Sequence, residues 1–281
     1  MDHRERILTA VNHQQPDRVP TALWGSAYGV TDPAEYAARK EVLEKMPGLG
    51  GTVVDTARAY GDSELVIGRA MKELGNRDRF FLASKTPISG DVSGGRSVVE
   101  ESFKRLQVET LDLMQIHNLH GLDALMPILV EMKAEKRIRY VGMSTSSDEQ
   151  YEAFLAGLAR YPVDFLQVDY SIANRNAAER ILPFAQEKGI AVLINMPFGG
   201  RRGGNLFPQV RERALPEWAK EADIGSWAQF FLKYVVSHPA VTCAIPATSR
   251  VDHMAENMGA LYGPLPDRTM RARMVRYVES L

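Results

Sequence analysis

Residues 113–144 read LMQIHNLHGLDALMPILVEMKAEKRIRYVGMS. The first five, Leu113–His117, are a short apolar run, and the last seven, Ile138–Ser144, are another. Between them Leu122, Leu125, Met126, Leu129 and Val130 fall at i, i+3, i+4, i+7 and i+8, the apolar stripe of an amphipathic helix. Neither run alternates cleanly between apolar and polar residues, as expected of parallel strands covered on both faces. A strand, a helix and a second strand of this kind predict a right-handed βαβ unit.

The same unit recurs along the chain. Further strands are predicted at Ala22–Trp24, Thr52–Asp55, Phe80–Ser84, Phe165–Asp169, Ile190–Ile194 and Val241–Ile245, which makes eight. Ile67, Met71 and Leu74 carry helical spacing after the second strand, as do Trp227, Phe230, Phe231 and Tyr234 before the eighth. Lys188-Gly189 ends a helix just before a strand, where a C-terminal glycine belongs. Eight βα repeats predict a single-domain (β/α)₈ barrel over residues 1–281, with an open doubly wound sheet as the structural alternative. Two stretches break the rhythm. The first twenty residues do not follow the repeat pattern, within an opening segment, about 1–33, that is atypical as a whole. The interval from Asn195 to Ile224, with Gly199-Gly200-Arg201-Arg202-Gly203-Gly204, reads as a long functional loop. Residues 266–281 read as a closing helix.

Composition removes several classes of function. The 281 residues carry 34 Lys plus Arg against 35 Asp plus Glu, a formal charge of −1, which offers nothing to a nucleic acid. Cys243 is the only cysteine, so an intramolecular disulfide and a cysteine-based metal cluster are excluded. No window has the ~18 apolar residues of a membrane span. Met1–Arg6 leads into too brief an apolar stretch for a signal peptide. The expectation is a soluble, cytoplasmic protein without a membrane partner; its oligomeric state is not legible.

In a barrel of this type the chemistry gathers at the C-terminal ends of the strands. The polar residues there are Asp55, Lys85, His117, Ser144, Gln167 and Asn195, at intervals of 30, 32, 27, 23 and 28 residues. Each interval is about one βα unit, so all six converge on one mouth. Tyr60 follows Asp55 in the loop after the second strand. A phenol is a poor acid, with an ordinary pKa of about 10, but an adjacent ammonium favours its ionised form, and a carboxylate fixes the ammonium in place. A neutral histidine beside it is able to hydrogen-bond a carbonyl oxygen. Such a set polarises a carbonyl and protonates the oxygen as hydride arrives at carbon.

From about residue 36 to 281 the chain resembles the aldo-keto reductases, (β/α)₈ enzymes that use a nicotinamide cofactor. Asp55-Thr-Ala-…-Tyr60-Gly, Ala83-Ser-Lys85 and Met114-Gln-Ile-His117-Asn match the family's catalytic segments in order. The resemblance implies Tyr60 as general acid and base, Lys85 and Asp55 as its tuners, and His117 as the group orienting the carbonyl. Gly142-Met-Ser144-Thr145 corresponds to the family's Gly-Val-Ser-Asn, so Ser144, Thr145 and Gln167 are implied to meet the nicotinamide carboxamide. Asn195-Met-Pro197 stands where Tyr-Ser-Pro is frequent, so the aromatic that stacks on the nicotinamide is absent.

Ile245-Pro-Ala247-Thr248-Ser-Arg250, continuing to Glu256 and Asn257, matches the segment that holds the adenosine phosphate. Ala247 and His253 occupy positions where lysine and arginine are usual, and Arg250 is implied as the substitute cation, since a guanidinium suits a phosphate dianion. NADP(H) is therefore expected ahead of NAD(H), with Gly199 and the rest of the glycine-rich loop closing over the pyrophosphate. The substrate is expected to be a small carbonyl compound whose identity depends on the loops at 24–29, 87–95 and 118–121.

Other readings stay open. The family also contains nucleotide-sensing regulatory subunits of potassium channels, and the altered contacts at Asn195, Ala247 and His253 suit such a role. Arg4 to Pro20 resembles the opening of uroporphyrinogen decarboxylase-like proteins, which suggests a methyl-transfer or decarboxylation alternative. Singly, each site residue has an ordinary explanation: a turn aspartate, a packed tyrosine, a solvated lysine or a core histidine. The pair His117 and His120 has no evident third ligand, so no metal is expected. The glycine-rich loop lacks the Gly-Lys-Ser/Thr of an ATP phosphate loop.

Overall fold

Eight short strands hydrogen-bond side by side in chain order: β1 Ala22–Leu23, β2 Val53–Asp55, β3 Phe81–Lys85, β4 Leu111–His117, β5 Ile138–Ser144, β6 Phe165–Asp169, β7 Ala191–Asn195 and β8 Cys243–Ala244. Every neighbouring pair is parallel. The structure, a computed structural model, describes residues 32–200 and 204–281 together with the backbone of Ala22 and Leu23. All eight expected strands are present with ends moved by a residue or two. Lys85 and Asn195 fall inside their strands rather than beyond them. Trp24 and most of the opening segment lie outside the described residues.

A helix follows each strand: α1 Pro33–Leu49, α2 Ser63–Leu74, α3 Arg96–Leu106, α4 Leu122–Ala134, α5 Tyr151–Arg160, α6 Ala177–Lys188, α7 Trp227–Val236 and α8 Val251–Met258, with α9 Arg268–Glu279 added at the end. Local chemistry sets their limits. Asp32 accepts a hydrogen bond from Ala34 N at 2.8 Å ahead of Pro33, while Ser226 and Asp267 cap α7 and α9 through their own side chains. Gly189 closes α6 with φ 65°, a left-handed turn that costs glycine little. The interval 195–224 holds a helical turn at Phe207–Val210 and a 3₁₀ segment at Glu217–Ala222.

Strand register divides the core in two. The predicted stripe of α4 packs inward, with Leu125, Met126 and Leu129 fully buried between helix and sheet. On the other face of the sheet, Val53, Phe81, Ala83, Leu113, Phe165, Ala191, Leu193, Cys243 and Ile245 form a separate apolar cluster. Phe81 and Phe165 come from β3 and β6, which are not neighbours, yet their ring centroids are 5.6 Å apart. The sheet has therefore curled until its inner face meets itself, giving a (β/α)₈ barrel filled by side chains.

Counting by twos along each strand carries this inner face upward. From Val53 it reaches Asp55, from Phe81 and Ala83 it reaches Lys85, and from Leu113 it passes Gln115 to His117. On β5, β6 and β7 it reaches Ser144, Gln167 and Asn195. The pairings Lys85 with Gln115, His117 with Ser144, and Ser144 with Gln167 place these residues side by side. An apolar floor thus supports a polar mouth.

Candidate active site

Lys85 is the centre of the β2–β4 side of the mouth. Its side chain is 1% exposed, and its Nζ donates to Asp55 Oδ2 at 2.5 Å and to the Thr56 carbonyl at 2.9 Å. Burial alone works against the ammonium, but the Asp55 carboxylate and the Tyr60 hydroxyl outweigh it and hold the amine above its ordinary value. Burial likewise pushes the Asp55 carboxyl up, with Lys85 opposing the shift. The same Nζ lies 5.1 Å from the centroid of the Tyr60 ring. Tyr60 in turn meets His117 edge to face, with ring centroids 5.9 Å apart at 85°. Burial, and next the nearby Lys85 charge, push His117 down to about 3, so its imidazole is neutral near pH 7. Its Nδ1 is buried and has no hydrogen-bond partner among the described residues.

The half-buried loop bearing Tyr60 is braced from below. Thr56 N donates to Ala83 O, and the Thr56 and Ser63 hydroxyls are 2.8 Å apart across the base of the loop. Gly61, with φ 58°, supplies the turn from Tyr60 into α2. Arg105 of α3 donates to the Gly61 carbonyl and to the fully buried Glu64, which also accepts from Ser84 Oγ at 2.6 Å. A charged, hydrogen-bonded anchor of this kind holds the Tyr60 loop against the top of β3.

On the opposite side of the mouth, Ser144 Oγ donates to Ile116 O at 3.3 Å, while Asn195 Nδ2 donates to Thr145 O at 3.1 Å. The Thr145 hydroxyl is engaged with Gln150 Oε1 at 2.7 Å. Gln167, 2% exposed, accepts from Gln115 Nε2 at 2.9 Å, while Gln115 Oε1 is buried without a partner among the described residues. Asn195 Oδ1 is buried without a partner among the described residues.

Farther out, between the 198–215 segment and α7 and α8, lies a cleft of about 880 Å³. Ala247, Thr248, His253, Glu256 and Asn257 line one wall; Phe198, Phe207 and Trp227 form an aromatic side; Arg211 and Arg213 complete it. Pro197 is buried and Gly199 turns the chain at φ 86°, where an added Cβ would lie 2.1 Å from the Gly204 carbonyl. Arg201 and Arg202 lie outside the described residues. Arg250 caps α8 and its guanidinium grips the exposed Asp252 beside it. His120 spends a ring nitrogen on the Gly90 carbonyl at 2.9 Å.

The structure therefore gathers Asp55, Tyr60, Lys85 and His117 at one place, and Ala247, Thr248, Glu256 and Asn257 at another. Three features escaped the sequence reading. Gln115 interrupts an apolar strand two residues before His117, a spacing that puts both on one face; a search limited to strand ends passes over it. Arg211 and Arg213 sit in an irregular interval without periodicity, and the Glu64–Arg105 anchor spans two helices.

Comparison with known proteins follows the same outline. The profile of the aldo/keto reductase family matches residues 21–273. Aldo-keto reductase YhdN of Bacillus subtilis is 33% identical over 187 residues, covering 62% of this chain and 55% of that protein. The fission yeast aldo-keto reductase yakc [NADP(+)] is 26% identical over 91% of this chain and 87% of its own length. Among solved structures, an aldo/keto reductase from Klebsiella pneumoniae in complex with NADP and acetate superposes with a TM-score of 0.75 at 27% identity, covering 95% of this chain and 93% of that one. The likeness of the first twenty residues to uroporphyrinogen decarboxylase-like proteins is not borne out; the family match begins beyond them. No helix among the described residues is long and apolar enough to cross a membrane. With a family match across nine-tenths of its length and a barrel of the same topology, this chain belongs to the aldo/keto reductase family.

Proposed function

We propose that the protein is an NAD(P)H-dependent oxidoreductase of the cytoplasm that interconverts a small aldehyde or ketone with its alcohol, with NADP(H) preferred. The observation that carries this reading is the cluster of Asp55, Lys85, Tyr60 and His117 at the barrel mouth. The nicotinamide cofactor supplies a hydride to the carbonyl carbon when bound. Tyr60 donates its phenolic proton to the carbonyl oxygen, and the phenolate left behind faces the Lys85 ammonium. Asp55 keeps that ammonium charged and fixed. His117, neutral because burial and Lys85 disfavour its cation, hydrogen-bonds the same oxygen and sets its direction. In oxidation the phenolate takes the proton back.

The residues present fit a dinucleotide. Ser144, Gln167 and the unpaired Asn195 Oδ1 offer polar atoms to a carboxamide. The outer cleft offers aromatic walls, Glu256 and Asn257 for an adenine, and Arg211 for phosphate, Arg213 being engaged with the Leu281 carbonyl at 2.8 Å. Arg211 makes no ion pair or hydrogen bond with other described side chains. It is therefore better placed than Arg250, which is committed to Asp252, to meet a 2′-phosphate. NADP in the Klebsiella relative and in the fission yeast protein's name supports the preference. A nucleotide-sensing role with little turnover is the second reading, favoured by the unusual residues at Asn195, Ala247 and His253. Fluorescence titration with NADPH and NADH, followed by steady-state assay on a panel of aldehydes and ketones, separates the two. Tight NADPH binding with multiple turnovers is the expected result, and tight binding without turnover would overturn the enzymatic reading.

A further inference from the structure

Between the proton-donating cluster and the carboxamide-facing residues lies one side chain that belongs to neither. Gln115 is on the inner face of β4 and has no exposed surface. Its Nε2 donates to Gln167 Oε1 at 2.9 Å and lies 3.5 Å from Asp55 Oδ1. Gln167 is on β6, two strands away, and β5 runs between them. The gap is bridged because the β5 residue level with Gln115 is Gly142. A Cβ at Gly142 would lie 3.1 Å from Gln115 Cγ and 2.8 Å from the Phe165 carbonyl. Gly142 does not take a left-handed conformation. Its missing side chain is thus a matter of space: it opens the path along which Gln115 reaches Gln167.

We propose that Gln115 is a positioning residue that fixes the amide of Gln167 and thereby ties the carboxamide site to the Asp55–Lys85 pair. A primary amide has two acceptor lone pairs and two N–H donors. Gln115 occupies one lone pair of the Gln167 oxygen, and its donating Nε2 thereby fixes which end of the Gln167 amide is the oxygen. This leaves the second lone pair and the N–H donors of Gln167 for a carboxamide, and it opposes the flipped orientation, which would set two amide NH₂ groups against each other. The two buried amides and the carboxylate form one continuous polar layer above the apolar floor, where an unmade hydrogen bond is costly. The inference rests on the proposed nicotinamide site and adds a residue that does not touch the cofactor.

The test compares two ligands that differ only at the nicotinamide end: NADPH and 2′-phospho-ADP-ribose, which has no carboxamide. Gln115→Met is close in size but has no amide. It is expected to weaken NADPH by about tenfold, the worth of one buried hydrogen bond, with 2′-phospho-ADP-ribose affinity unchanged. Unchanged binding of the second ligand also shows that the variant is folded; should it not fold, Gln115→Leu repeats the measurement. In a Gln167→Met background the same substitution is expected to cost nothing further. Equal loss for both ligands, no loss for either, or a full tenfold loss persisting in the Gln167→Met background would each overturn the proposal. Failure of the wild type to bind NADPH would instead overturn the cofactor reading on which it stands.

Discussion

At the β2–β4 side of the barrel mouth, Asp55, Lys85 and His117 are each 5% exposed or less, and Lys85 is fixed by two hydrogen bonds. At the β7–β8 side, the cleft is walled mostly by half-buried and exposed residues, and its arginines are exposed. In the first region the charges have no water to fall back on, so each must be paired within the protein. In the second, Arg213 donates to the Leu281 carbonyl at 2.8 Å, while the exposed Arg211 has no side-chain partner among the described residues. The buried cluster is preorganised, whereas the exposed Arg211 of the cleft has still to find a partner among the described side chains.

The sharpest way to break this contrast is to remove one partner of the buried pair. Lys85→Met leaves the Asp55 carboxylate without its main counter-charge, which costs about 3–5 kcal/mol of stability, and it abolishes turnover with Tyr60 still in place. Urea unfolding and a carbonyl-reduction assay check both. A loss comparable with that of an exposed pair, below about 1 kcal/mol, would show that the interior position carries no special weight.

A smaller effect follows from His117. Its folded-state value of about 3 lies below the ordinary 6.5. As pH falls, the unfolded chain takes up this proton first. The stabilisation is therefore full above about 6.5 and is lost progressively down to about 3. His117→Gln should flatten the fall in thermal stability across that window. An identical fall in the variant and the wild type would contradict a neutral buried imidazole. His238, pushed down to about 4 by burial and next by the Arg271 charge, remains in both proteins and does not enter the difference.

The smallest effects are expected in the open cleft. Arg211→Ala should weaken NADPH about tenfold and leave NADH within about twofold, since only the former carries a 2′-phosphate. Arg250→Ala should change either affinity by about twofold or less, because its guanidinium is already shared with Asp252. Titration of both variants with both nucleotides checks the pair, and reversal of the two results would return the phosphate to α8.

The same contrast explains what could be read from the sequence. Parallel strands covered on both faces leave dense apolar runs, and the helices between them leave a 3.6-residue stripe, so all eight strands were legible down to the two-residue β1 and β8. The inner face of a strand repeats every two residues, which is why Asp55, Lys85 and His117 could be expected to converge from roughly 30 residues apart. Gln115 obeys the same rule but sits below the mouth, and its meaning depends on Gly142 leaving a space, a relation between strands that no single strand displays. Arg211 and Arg213 lie where the chain follows neither period, so their place in the cleft comes only from the path of the 198–215 segment. Arg250 was the natural candidate by position, and its pairing with Asp252 emerges only from side-chain placement.

One substitution addresses the proposed proton donor itself. Tyr60→Phe removes the single oxygen proposed to meet the substrate and keeps the ring that packs against His117 and Lys85. With NADPH affinity measured alongside, carbonyl reduction is expected to fall by about 10²–10⁴-fold, the usual contribution of a positioned general acid, while nucleotide binding stays within about twofold of the wild type. Turnover retained at the wild-type rate would contradict the assignment of the phenol as the group that protonates the carbonyl oxygen.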